Sequence, residues 1–346
     1  EHRQTADLKH CVFGVSNSHG CVSSMPHLRN ELLIQNFGLS FPYSEVFYTS
    51  QWNWPVWIFP VYRVAVAIYI VAWSAVGFID TSVQVIDHGH PPICYVTVWS
   101  FLLLALYLTL AAFISVVHAF LGHSSMSVTT SQNMSDVEIK YPSSISSTPE
   151  DASLQSDPTN MVASDVTPDP TLSSITSVTT TQSIQPTNGR QRLACHHRLL
   201  WVLFNMAAGV APVVTVIYFS VLYPMIVSAY PDYSASVFDI HVHGVNSLVI
   251  FIELAISAIP IRLFHAIYPA IYGLIYIIFS LIYWSIDKQE NVLYPYVLDW
   301  NHPGITIEVI CALLVVIPLI QLGWFGLYNL RLHVFKKVYG YDYMVL

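Results

Sequence analysis

Charge is what this sequence has least of. Only 10% of its 346 residues are Asp, Glu, Lys or Arg, against about 25% in an ordinary soluble domain, so most of the chain cannot furnish a water-facing surface. Lys and Arg number 13 against 21 acidic residues, a formal net charge of −8, which excludes a basic nucleic-acid-binding chain. Five cysteines with no Cys-x-x-Cys pair supply neither a disulfide framework nor a thiolate zinc motif. The 15 histidines are scattered with no His-x-x-x-His spacing. His196-His197 therefore reads as part of a basic membrane flank, and neither a metal nor a cofactor is expected. The alternation of a membrane β-barrel is missing, as are the internal repeats of a transporter and the cationic repeat of a voltage sensor.

What the chain does have is apolar length. Hydrophobic residues make up 54% and aromatics 14%, gathered into six runs of about 20 residues, the length that crosses a hydrocarbon core as a helix. They run from about Val56 to Ile79, Ile93 to Leu121, Leu199 to Val227, Ile240 to Ile259, Leu263 to Trp284 and Ile305 to Leu330. The expected fold class is all-α, a polytopic membrane protein with six transmembrane helices and a long disordered cytoplasmic loop. The expected segments are an N-terminal cytoplasmic stretch (1–55), helices one and two (56–121), the loop (122–198), helices three to six (199–330) and a cytoplasmic tail (331–346). Arg3, Lys9, Arg29, Lys140, Arg190, Arg192, Arg198, Arg262, Arg331, Lys336 and Lys337 fall on one side, Lys288 alone on the other, and Arg63 inside span one. By the positive-inside rule both termini are cytoplasmic. Trp52, Trp54, Trp57, Trp201, Trp284, Trp300 and Trp324 sit near span ends and read as interfacial anchors. No separate signal segment is read ahead of span one. Because the sequence opens on Glu1, Met25 reads as a candidate start, and His27 to Phe37 as a short interfacial helix or a plain tail.

Between spans two and three the composition turns to Ser, Thr and Pro. Such a stretch buries too little apolar surface to offset its ordering entropy and reads as disordered. Thr148-Pro149-Glu150-Asp151 and Thr167-Pro168-Asp169 read as phosphorylation sites, and the sequon at Asn133 is expected to stay unmodified on the cytoplasmic side. Residues 124–189 carry a net −6 and the rest of the chain −2, so the acidity belongs to this segment. Cys195, beside His196, His197 and Arg198, is a palmitoylation candidate.

Polar groups inside spans are costly and become functional hypotheses. At ~1.5 Å per residue, Thr97, His243, Asn246 and Glu308 share one stratum near the outer leaflet, with His241 at the same end. His243, Asn246 and Glu253 fall within roughly an 80° sector of span four. Glu253, near mid-bilayer, needs a partner or a proton. A Thr hydroxyl beside a His base suits ester hydrolysis; the same residues equally suit helix capping and interhelical hydrogen bonding. Tyr268, Tyr272 and Tyr276, with Gly273 beside them, read as a close-packing face, and Pro212, Pro269 and Pro318 as potential kinks.

Several stretches together resemble the rolling-stone family, multi-pass membrane proteins associated with myoblast fusion in insects. They are Phe47-Tyr48-Thr49-Ser50-Gln51-Trp52, Tyr95-Val96-Thr97-Val98-Trp99, His243-Gly244-Val245-Asn246-Ser247, Glu253, Pro260-Ile261-Arg262-Leu263-Phe264-His265, and Tyr268-Pro269 with Tyr272-Gly273 and Tyr276. The layout is more distantly similar to the androgen-induced-protein hydrolases, membrane enzymes that cleave fatty acid esters of hydroxy fatty acids with a Thr and a His. That resemblance places the nucleophile on Thr97, but its catalytic His falls on Asn246, which cannot act as a base, so His241 or His243 would have to substitute. The resemblances imply a plasma-membrane protein of cell–cell fusion or muscle development, with the lipid bilayer, a lipid ligand and a membrane-protein partner as the expected contacts. The alternative they imply is an intramembrane lipid esterase built on Thr97 and His243.

Overall fold

The computed structural model describes residues 31–79, 90–135, 193–295 and 297–343, with only the helical backbone described over 122–135. The described residues up to 124 and from 193 onward belong to one compact unit, and 125–135 fall in a second. Among the described residues the structure is helical, with no strand beyond two isolated bridges. Six helices are long and apolar enough to cross a membrane: α1 (Ile58–Ile79), α2 (Val96–Ser135), α3 (Cys195–Ala229), α4 (Val237–Ile256), α5 (Leu263–Ile286) and α6 (Pro303–Tyr339).

Local chemistry sets the ends. Ser236 caps α4 reciprocally: its Oγ accepts from Asp239 N at 3.1 Å, and Asp239 Oδ2 accepts from Ser236 N at 2.9 Å, satisfying donors that a helix start leaves open. α6 opens on Pro303 and closes on Gly340, whose φ of +79° is the left-handed conformation that favours glycine at a helix end. α4 stops at Ile256, earlier than its hydrophobic run suggests. Pro260 has no N–H to give the Ile256 carbonyl four positions back, and that carbonyl is taken instead by Gln51 N at 3.2 Å and Ser50 Oγ at 3.0 Å.

α3 lies at the centre, with Leu200, Trp201 and Phe204 fully buried. Large apolar side chains of α1, α5 and α6, among them Ile68, Leu274, Ile278, Leu314 and Leu319, point outward. Lipid tails are as apolar as these side chains, so such a surface is at home in hydrocarbon.

Several expectations change here. Trp201 and Trp324 are buried rather than interfacial: their indole N–H groups donate to the carbonyls of Pro260 and Ala208 at 2.9 and 2.8 Å. Both edges of the expected loop are helical, α2 running on to Ser135 through Asn133 and α3 starting at Cys195. α6 likewise runs past 330 to Tyr339, because Leu332 and Phe335 still face the core. Arg262 and Arg331 are buried, so their charge serves internal contacts as well as any sidedness. Met25, Cys11, Cys21, Thr148 and Thr167 lie outside the described residues.

Candidate functional site

Ionisable side chains gather at both ends of α4, and those at its C-terminal end form a buried structural assembly. Glu253 on α4 receives Arg63 of α1 through Nε at 3.0 Å and Nη2 at 2.5 Å, and the Tyr107 hydroxyl of α2 at 2.9 Å. Arg63 also donates to the Phe47 carbonyl at 2.8 Å and the Ser115 hydroxyl at 3.0 Å. Both side chains are fully buried. The partner that Glu253 requires is therefore the arginine already inside span one.

Beyond α4, the extended residues 257–262 present carbonyls inside the protein, and side chains cover them. Arg331 donates to Leu254 and Ser257 at 2.5 Å and to Ile259 at 3.0 Å. Gln321 donates to Arg262 O at 2.8 Å. The segment ahead of α1 closes the remaining side: Trp52 Nε1 donates to Ala255 O at 2.8 Å, and Ala258 N donates to Thr49 O at 3.3 Å. Non-helical backbone at membrane depth is tolerated where protein satisfies it.

The second place is the opposite end of α4. Two π-type turns, Tyr218–Leu222 and His241–Val245, face each other there, a local widening of the helix often found at functional sites. The Tyr218 and His243 rings stack with centroids 3.4 Å apart and 7° between planes. His243 Nδ1 lies 2.8 Å from the Asp239 carbonyl. A carbonyl only accepts, so Nδ1 carries the proton and Nε2 the lone pair. His241 is engaged at both nitrogens, by the Val237 carbonyl at 2.7 Å and by the Tyr69 hydroxyl, and it stacks on Trp73. Of the two histidines, His243 alone keeps a ring nitrogen clear of such a bond among the described residues.

Asn246 is fully buried and donates to the Ser100 hydroxyl at 3.1 Å, and Ser100 donates to the Thr97 carbonyl at 2.8 Å. Span four is thereby tied to the first turn of span two at Thr97, the level the sequence assigns to both. Thr97 and His243 are not hydrogen-bonded to each other among the described residues. Thr215, inside an apolar run that gave no signal of it, braces the His243 turn, its hydroxyl meeting the His243 carbonyl and, at 2.6 Å, Ser247 Oγ. Glu308 is exposed on α6 and stands apart from this network. Cys195 is exposed at the first position of α3, accessible as a modified thiol must be.

Next to these residues lies a cavity of about 120 Å³, lined among others by Thr97, Tyr218, Tyr272, Gly273, Tyr276 and Leu313. Its wall is almost wholly apolar, and its size suits part of an acyl chain. Gly273 does not bring helices together as its neighbours suggest: a Cβ there would meet nothing within 4 Å. The close approach is at Gly209, where a Cβ would come within 2.4 Å of Pro269. The tyrosine face is held from outside the cavity, by Trp99 set edge-on against Tyr272 and Tyr276 and by Tyr276 donating to the Cys94 carbonyl at 2.8 Å.

The family model described as "Protein rolling stone" matches residues 165–344, just over half the chain. This protein belongs to the rolling-stone family. It is 29% identical over 143 residues to Protein rolling stone of Drosophila melanogaster, an alignment covering 39% of this chain and 49% of that protein. The chain thus spans about half the length of the curated relative it matches. No solved structure matches it. The Thr49-Ser50-Gln51-Trp52 stretch and residues 255–258 at the end of α4, far apart in sequence, are two sides of one joint. Ser50 and Ser257 pair as an antiparallel bridge at its centre.

Proposed function

We propose that this rolling-stone-type membrane protein acts in cell–cell fusion during muscle development, holding bilayer lipid in the cavity between α3, α5 and α6. Membership of the family is the observation that carries this reading. The apolar wall around Gly273 supports lipid as the ligand. The sequence between spans on the side opposite the positive charges is short, which favours local membrane remodelling or a small protein contact over adhesion by a large ectodomain. The reading places the protein in the plasma membrane with both termini cytoplasmic, following the distribution of Lys and Arg. Depletion from fusing myoblasts is expected to leave mononucleate cells; normal multinucleate fibres after complete loss would rule the role out.

A second reading, an intramembrane esterase, starts from two separate observations and needs a movement that brings the two residues together: Thr97 lines the cavity, and His243 carries its lone pair on Nε2. Thr97 Oγ1 would attack the ester carbonyl as its proton passes to His243 Nε2. The departing alcohol takes that proton, and water then hydrolyses the acyl-threonine. A fluorophosphonate probe tests this directly. Labelling of the wild type that disappears in Thr97→Ala supports hydrolysis, whereas no labelling of the folded protein removes it.

A further inference from the structure

A third cluster lies within the first compact unit, between α2 and the first turn of α3. His118 of α2 comes beside His196 and His197 in the first turn of α3, and one ring nitrogen of each lies within 4.8 Å of the others. His197 is 4% exposed, and among the described residues both its ring nitrogens are buried without a hydrogen-bond partner. Leaving a buried donor or acceptor unmade costs about 1–3 kcal/mol, so this imidazole calls for a partner that the described residues do not provide.

The aromatic neighbours cover ring faces and leave ring edges free. Tyr48 stacks on His118 with centroids 3.7 Å apart and 3° between planes, and Phe47 stacks on His197 at 5.6 Å. The Phe47-Tyr48 pair thereby fixes two imidazoles, while His196 is exposed and free to turn. The His118 and His197 rings lie 5.8 Å apart, close to the roughly 5 Å between two imidazoles that share a tetrahedral ion at ~2.0 Å. His196 is 4.1 Å from His197 and needs only a side-chain rotation to join them.

We propose that His118, His196 and His197 form a divalent transition-metal site of zinc type joining α2 to α3. Three neutral imidazoles select zinc, copper or nickel over calcium or magnesium, which take oxygen ligands. Three protein ligands leave a fourth tetrahedral position for water or another oxygen donor. The site clamps the two helices between which the insert runs. Sequence spacing gives no sign of it, because His118 is separated from its partners by the whole insert.

The test uses the full chain, purified in detergent and stripped of metal, titrated with Zn²⁺ by calorimetry and with Co²⁺ for its tetrahedral absorption bands. One equivalent of each per chain is expected. His196→Ala, exposed and harmless to the metal-free thermal midpoint, should weaken Zn²⁺ binding by more than tenfold, since even outer partners of a ligand are worth about 10–100-fold. His118→Gln should do the same and abolish the Co²⁺ bands. His302→Ala, exposed outside this cluster, should change nothing. The absence of stoichiometric binding, or binding that survives both His196→Ala and His118→Gln, overturns the site. Neither outcome bears on the fusion reading.

Discussion

Around Arg63, Glu253 and Arg331 the membrane domain encloses charge and spends it on its own backbone, whereas around Thr97 and His243 it leaves polar atoms beside an apolar cavity. In the first region, four segments distant in sequence converge on the broken end of α4, and cationic side chains meet a carboxylate or carbonyls. In the second, the hydrogen bonds that exist orient side chains without consuming them: Asp239 fixes the His243 tautomer, and Asn246 ties to Thr97 through Ser100. Burial of an ionisable group inside a membrane marks it as important but does not say for what. The difference is one of degree: Glu253 Oε1 takes three bonds while Oε2 takes none among the described residues, whereas the side chains of His243 and Asn246 each make a single orienting bond.

The sharpest way to break this contrast is to remove one member of the closed region. Glu253→Ala leaves Arg63 buried without its counter-charge and should cost about 3–5 kcal/mol, seen as a collapse of the apparent thermal midpoint in a fixed detergent. The paired change Arg63→Met with Glu253→Leu should restore much of that loss. A double variant no more stable than Glu253→Ala would show that the pair is not the unit. Next in size is Gly209→Ala. A methyl group 2.4 Å from Pro269 must push α3 and α5 apart, for about 1–3 kcal/mol; an unshifted midpoint would mean that the contact yields.

The open region should be far more tolerant. Asn246→Leu should cost about 1 kcal/mol through its single bond to Ser100, and Thr97→Val, a buried exchange of hydroxyl for methyl, no more than about 1 kcal/mol. Destabilisation as large as that of Glu253→Ala would place these residues in the structural class. The smallest effect lies outside the bundle. The backbone N–H groups of Glu290 and Gln289 donate to the Asp287 carboxylate and hold its pKa below the usual carboxylate range. A lowered folded pKa contributes stability above the unfolded value of about 3.9, lost as pH falls through the folded value. The turn should therefore stay closed until the pH drops below about 4. Carboxyl NMR of Asp287 giving a midpoint at or above 3.9 would contradict this.

The six spans are legible because apolar length is nearly the whole signal a bilayer requires. Their ends are less so where tertiary contacts decide, as at Ile256, where Ser50 and Gln51 replace the donor that Pro260 lacks, and at Tyr339, where Phe335 keeps α6 in the core. Glu253's need for a partner was readable from its depth, but Arg63 was readable only as an intruder in span one; that the two meet depends on packing. The shared level of Thr97 and Asn246 followed from helix rise, while Ser100, which joins them, is an ordinary serine in an apolar run. Tyr218, Thr215 and the cavity left no trace, because a π-type turn and an unfilled volume arise from how helices fit, not from a residue pattern. Gly273 and Gly209 show the same limit: a small residue permits close approach, but only the packing reveals which one uses it.

The cavity's part in the proposed role is tested most directly by filling it. Gly273→Phe places a ring where a Cβ meets nothing, and the full chain should still fold and reach the cell surface. In myoblasts depleted of the endogenous protein, the measurement is the fraction of nuclei in multinucleate cells after rescue. Wild type is predicted to restore fusion and Gly273→Phe at equal surface level to leave the cells mononucleate. Equal rescue by both would contradict a role for lipid held between α3, α5 and α6.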